Sequence, residues 1–237
     1  MRTKTLLVAA AALAAAITSS QAQTVYSQNI VGYVNQVFTG NPSYTLATAP
    51  LTGTTNAADQ IITCLQPGDT ISLWNGTTFV VYTYFPGIYT GTNFVDGSFN
   101  ALPTPTLAPG QAFFYQNEQG SNETNTWTGS CVLSNSVVLT GNPSYSLVAS
   151  FTPIAALADS TNINLPFQAG DTISLWNGTG FTVYTYFPGI YTGTNFVDGS
   201  FNALPDPTIQ VGQGFFYQNQ QGANEPWTQN NSYILNP

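Results

Sequence analysis

With no histidine, lysine or arginine in its body, this sequence leaves carboxylates as its main side chains for acid and base chemistry at neutral pH. There is no histidine, and the two basic residues, Arg2 and Lys4, stand at the extreme N-terminus. That excludes histidine-driven nucleophiles, Schiff-base chemistry, arginine clamps and histidine metal centres. Among the ten acids, Asp69 and Asp171, Asp96 and Asp198, and Asp59 and Asp159 fall at matching places in two halves of the chain, whereas Glu118, Glu123, Asp206 and Glu225 are local to one half. An aspartate pair sharing one proton, as in an acid protease, needs glycine two residues after each aspartate. Ile71 and Ile173 stand there, so Asp69 and Asp171 read as turn residues entering a strand. A glycoside hydrolase needs only two carboxylates, one of raised pKa, and is the enzymatic alternative, though nothing in the spacing brings two acids together.

Residues 82–103, repeated without change as 184–205, are the densest store of recognition chemistry. Aromatic faces beside amide and carboxylate oxygens suit sugar rings, whose C–H faces stack while their hydroxyls take hydrogen bonds. The candidate ligand residues are Tyr84, Tyr89, Phe94, Asp96 and Asn100, with Tyr186, Tyr191, Phe196, Asp198 and Asn202 in the second copy. The same rings are what a β core without ion pairs would use to fill itself, so core and ligand surface both stand as readings. Residues 96–100 also place oxygens at alternate positions, as calcium loops do, but lack the further acids of such a loop. No cofactor and no metal is called for.

These residues sit in a tandem duplication. Residues 68–103 match 170–205 with two differences, Thr78 against Gly180 and Val80 against Thr182, and the likeness extends to residues 39–44 with 140–145 and 113–117 with 215–219. Each unit spans about 100 residues, the length of one small domain. Residues 71–84 read as a hairpin about Asn75-Gly76, with 173–186 its copy; a two-residue turn would set Trp74 opposite Thr77. Turn signals at Pro86-Gly87 and Asp96-Gly97, and a weak helical turn within residues 56–65 capped by Asn56, complete the unit. The expectation is an all-β protein of two tandem β-sandwich-like or barrel-like modules, with residues 23–136 as an N-terminal strand plus module one and residues 137–237 as module two. Residues 25–35 read as an extra strand with no counterpart in the second unit, either completing module one or donated to a neighbouring molecule.

Arg2 and Lys4, the apolar stretch 6–17 and the small residues of Ser20-Gln21-Ala22 have the form of a secretory signal cut after Ala22. Twelve apolar residues fall short of the roughly 20 that span a bilayer, and no later run is longer. Beyond the cut the side chains carry ten negative charges and no positive one, which argues against nucleic acid and anionic lipid as partners. The expected place is the exterior or the cell envelope, where Cys64 and Cys131 would pair; free thiols or an intermolecular bridge are the alternatives.

The opening V-Y-S-Q-N-I-V-G-Y-V-N, followed by units with S-Y-T-L, L-W-N-G and P-G-Q-A-F-F, resembles a group of uncharacterised exported bacterial proteins with a V-Y-S-x-N-x-V-G-Y-V-N segment and two copies of one module. The resemblance covers nearly the whole chain after the leader and implies export, duplication and a bacterial source. It implies no activity and no functional residue. With the composition, the reading is a non-enzymatic secreted protein of a cell surface, matrix or adhesion layer, with weak polysaccharide binding and a capacity to self-associate. Its alternatives are a purely structural self-assembling β protein and the carboxylate-dependent hydrolase.

Overall fold

A computed structural model describes residues 31–231 except Pro42 and Pro143. The expected secretory signal, residues 1–22, and residues 23–30 lie outside the described residues. Alternation of apolar and polar side chains, punctuated by glycine and proline, yields an almost wholly β structure, with one short helix among the described residues, as the composition leads one to expect.

In the first module β1 (Val31–Phe38), β2 (Tyr44–Thr48), α1 (Ala58–Ile61), β3 (Thr70–Trp74), β4 (Phe79–Tyr89), β5 (Thr92–Val95), β6 (Ala101–Leu102), β7 (Ala112–Gln116) and β8 (Glu123–Ser130) follow in order. The second contains β9 (Ser134–Leu139), β10 (Ser146–Ala149), β11 (Ala156–Leu157), β12 (Thr172–Trp176), β13 (Phe181–Tyr191), β14 (Thr194–Val197), β15 (Ala203–Leu204), β16 (Thr208–Ile209), β17 (Gly214–Gln218) and β18 (Glu225–Asn230). Each module has a six-stranded antiparallel sheet, β2-β7-β3-β4-β5-β6 in one and β10-β17-β12-β13-β14-β15 in the other. A two-stranded ribbon, β1-β8 or β9-β18, accompanies each sheet. Because side chains alternate along a strand, Ile71, Phe113 and Tyr115 form one buried face, which packs with Phe38 and Trp127 of the ribbon. Ile173, Phe215, Tyr217, Leu139 and Trp227 repeat the arrangement.

Four expectations change. Trp74 pairs with Phe79, not Thr77, so the turn holds four residues: Asn75 Oδ1 accepts from the backbone N–H groups of Thr77 and Thr78, while Gly76 takes φ +101°. A two-residue slip preserves every facing, so the core side of β3 is unchanged. The N-terminal strand does have a counterpart: β9 pairs with β18 as β1 pairs with β8, and Leu139 opposes Glu225 as Phe38 opposes Glu123. The helical turn is only Ala58–Ile61; Asn56 does not cap it, and Ala57 precedes it without a side-chain cap bond.

Cys64 and Cys131 are free rather than bridged. Thr63 gives its backbone N–H and hydroxyl to Asn125 Oδ1, which fixes Cys64 beside the start of β8, while Cys131 lies just past its end. About 20 Å of extended strand separates those points, against the roughly 7 Å between Cα atoms that a disulfide tolerates.

The modules meet by contacts given in both directions. Thr48 N–H donates to Gly212 O and Ala149 N–H to Gly110 O, both at 2.9 Å. Trp74 Nε1–H donates to Tyr145 O and Trp176 Nε1–H to Tyr44 O, at 3.1 and 2.8 Å. Edge-to-face ring pairs do the same, Trp74 on Phe216 and Trp176 on Phe114. Residues of one module touching the counterparts of those that touch them define a pseudo-two-fold rotation. Among the described residues no helix is long and apolar enough to cross a membrane.

Candidate functional site

The long hairpin of β4 and β5 builds a displayed aromatic surface. Tyr84 pairs with Phe94 and Tyr89 with Thr92, so residues 85–88 of β4 are opposed by Asn93 alone. Pro86 brings no N–H to the ladder and Gly87 takes φ +82°, which makes this irregularity a bulge that pushes its side chains off the sheet. Ile88 and Tyr89 emerge half exposed.

The next loop meets them. Asp96 Oδ1 accepts from the N–H groups of Ser98 and Asn100, its Oδ2 accepts from the Asn100 side-chain amide, and Asp96 N–H donates to Asn100 O. These bonds force Phe99 to φ +61°, the left-handed region where glycine is the usual occupant. Its ring is 56% exposed, tilts against Phe85 at 5.4 Å, and its carbonyl accepts from the Tyr89 hydroxyl at 2.8 Å. Phe201 repeats this at φ +62° and 56% exposure, with Phe187 at 5.4 Å and the Tyr191 hydroxyl on its carbonyl. A bulky residue held left-handed costs about 1–2 kcal/mol, and strain of this kind gathers at binding and catalytic surfaces.

The structure therefore divides the candidate residues. Tyr89, Asp96 and Asn100, with Tyr191, Asp198 and Asn202, come together around the strained phenylalanine. Phe94 and Phe196 are fully buried in the cores, out of reach of any ligand. Tyr84 and Tyr186 are half-buried against those cores and form their walls. The Asp96 and Asp198 oxygens are occupied by N–H donors, with the Asn100 and Asn202 amides first among them, and both carboxyls are held below the ordinary aspartate value. Phe85, Ile88 and Phe99 with Phe187, Ile190 and Phe201 were not among the candidates, although the aromatic segment contains them. A five-residue turn with phenylalanine at its fourth position, where glycine is expected, is the signal that points to them.

The buried acids do separate work. Asp69 Oδ2 accepts from the Tyr115 hydroxyl at 2.6 Å and Gln66 N–H at 2.8 Å, while Oδ1 accepts from Glu118 N–H at 2.9 Å. Asp171 repeats the set with Tyr217, Gln168 and Gln220. Each aspartate is enclosed in its own module and cannot share a proton with the other. Burial, then the Asp69 contact, pushes the Tyr115 phenol up, and burial with Glu123 pushes the Cys64 thiol up to about 12. Glu123 reaches the same phenol at 3.4 Å, and burial followed by the Asp69 charge raises its carboxyl. Two carboxylates thus converge on one tyrosine, but Asp69 and Tyr115 have no exposed surface.

Two apolar clefts flank the pseudo-two-fold. Trp74, Tyr145, Ser174, Phe181 and Phe216 line one of about 270 Å³; Tyr44, Ser72, Phe79, Val81, Phe114 and Trp176 line its image of about 350 Å³. A larger hollow of about 530 Å³, lined by Thr52, Thr54, Thr55, Thr126 and Thr128, lies between α1 and β8. The fold and surface define a duplicated all-β protein that presents one strained aromatic platform per module. The chain matches no known family model, and neither a curated protein nor a solved structure matches it.

Proposed function

We propose that this is a non-enzymatic exported protein of a cell surface or matrix that binds neutral polysaccharide through its two platforms. The observation that carries the reading is Phe99, with its repeat Phe201: an aromatic ring in a left-handed conformation, turned to solvent where it adds nothing to the core. Tyr89 and Ile88 extend the apolar area, and the Asp96 and Asn100 edge supplies polar atoms beside it, the mixture on which a sugar ring stacks. With ten acids and no base after the leader, a neutral polymer fits and an anionic one is repelled. Export and a bacterial source rest on the leader and on the resemblance of the opening segment.

Depletion of residues 23–237 from solution by insoluble cellulose, chitin, starch and mannan tests the reading. At least one polymer is expected to remove the native protein and to spare folded Tyr89→Ala/Tyr191→Ala; retention of the native protein by none of them would refute it. The self-assembly alternative draws on the exposed Tyr33, Val37 and Val138 of the ribbons, and sedimentation over a hundredfold range of concentration without polymer separates it. The hydrolase alternative cannot draw on Asp69, which is buried beneath its own hydrogen bonds.

A further inference from the structure

We infer that the chain is a cross-linker, each platform holding a different polysaccharide strand, an inference that rests on the platforms being glycan sites. Its ground is the pseudo-two-fold between the modules, marked by the reciprocal bonds of Thr48 and Ala149 and of Trp74 and Trp176. The isolated bridges Ala47 with Gln213 and Val148 with Gln111 obey the same exchange. Residues 82–103 and 184–205 are identical, and both copies hold the same strained loop, so this rotation carries one platform onto the other.

A two-fold rotation reverses the line joining any point to its image. A straight strand touching both platforms would lie along such a line, so it would cross Tyr89 in one direction and Tyr191 in the opposite one. Polysaccharide strands are directional, and a chiral surface grips one direction. Two platforms related by simple translation would read a single strand twice and gain the 10² to 10⁴ in avidity that chelation provides. Under the rotation found here a straight strand satisfies one platform only. The second is left to take another strand, which converts binding into bridging.

The test uses light scattering on the full mature chain mixed with soluble hydroxyethyl cellulose, glycol chitin, amylose and galactomannan over a range of protein-to-polymer ratios. A one-platform variant, Tyr89→Ala with Phe99→Gly, is run beside it. Bridging predicts that the native protein raises the polymer's apparent mass several-fold, most strongly at intermediate ratios. The one-platform variant should bind with affinity within a few-fold per site and leave the mass at that of a single strand. Binding by the native protein without a rise in mass, combined with a hundredfold loss of affinity in the variant, would overturn bridging and indicate chelation of one strand. No binding to any of the four polymers would overturn the glycan reading and, with it, this inference.

Discussion

Asp69 is buried with no cation near it among the described residues, and the three donors around it take the place that an ion pair fills in most proteins. A carboxylate tolerates burial when its lone pairs are occupied in this way. It ties the turn at Gln66, the loop after β7 at Glu118 and the Tyr115 hydroxyl into one knot, and Asp171 does the same for module two. Asp69→Ala leaves those three donors facing an apolar hole, at about 1–3 kcal/mol for each unsatisfied group. The expected loss is at least about 3 kcal/mol in all, read as an early unfolding step in a thermal melt; a melting curve unchanged by the substitution would show that the knot does not support the module. The sequence marked these aspartates as turn residues, which they are, but gave no sign of the tyrosine beneath. Tyr115 lies far along the chain and reaches Asp69 only because β7 pairs with β3.

Strand content and the duplication were legible because apolar periodicity and turn residues are local properties. Register was not. Whether Asn75-Gly76 closes a two-residue or a four-residue turn depends on the Asn75 side chain capturing the Thr77 and Thr78 amides, and one dipeptide serves both outcomes. Nor did β9 resemble β1 in sequence; what identifies it is its pairing with β18. The loop between β5 and β6 shows how an element creates the site: Asp96 folds the turn, and the turn forces Phe99 outward. Because the Asp96 carboxyl is held below its ordinary value of 3.8, the clamp is complete above that pH and is lost as pH falls through the lowered native value. Protection from hydrogen exchange at the Ser98 and Asn100 amides is expected to be flat above pH 5 and to fall only as pH drops below 3.8 through the lowered native value. Unchanged protection of these amides at pH 6 in Asp96→Ala would mean that the carboxylate does not organise the loop.

Across the whole molecule the two units behave as halves of a pseudo-symmetric pair, and their closeness depends on small residues at the contact. A Cβ at Gly214 would meet the Ala112 Cβ at 2.5 Å, Leu46 Cγ at 3.1 Å and the Ala47 carbonyl at 3.2 Å. Overpacking of this order costs about 1–3 kcal/mol, so Gly214→Ala should lower Tm by about 2–10 °C. Ala112→Gly in the same chain should recover most of the loss, and an unchanged Tm in the single variant would deny the packing. None of this interface was readable from the sequence, because Trp74, Phe79, Phe114 and their repeats alternate like any other strand residues and carry no mark of what covers them.

The measurement nearest the central claim is polysaccharide depletion by Phe99→Gly/Phe201→Gly, paired with its thermal melt. Glycine takes the left-handed conformation freely, so relief of about 1–2 kcal/mol of strain per site offsets the lost ring contact of about 0.5–1.5 kcal/mol. A Tm within a few degrees of native and a loss of polymer capture of tenfold or more are expected. Native-level capture by the folded glycine variant would show that the strained rings are not the binding surface.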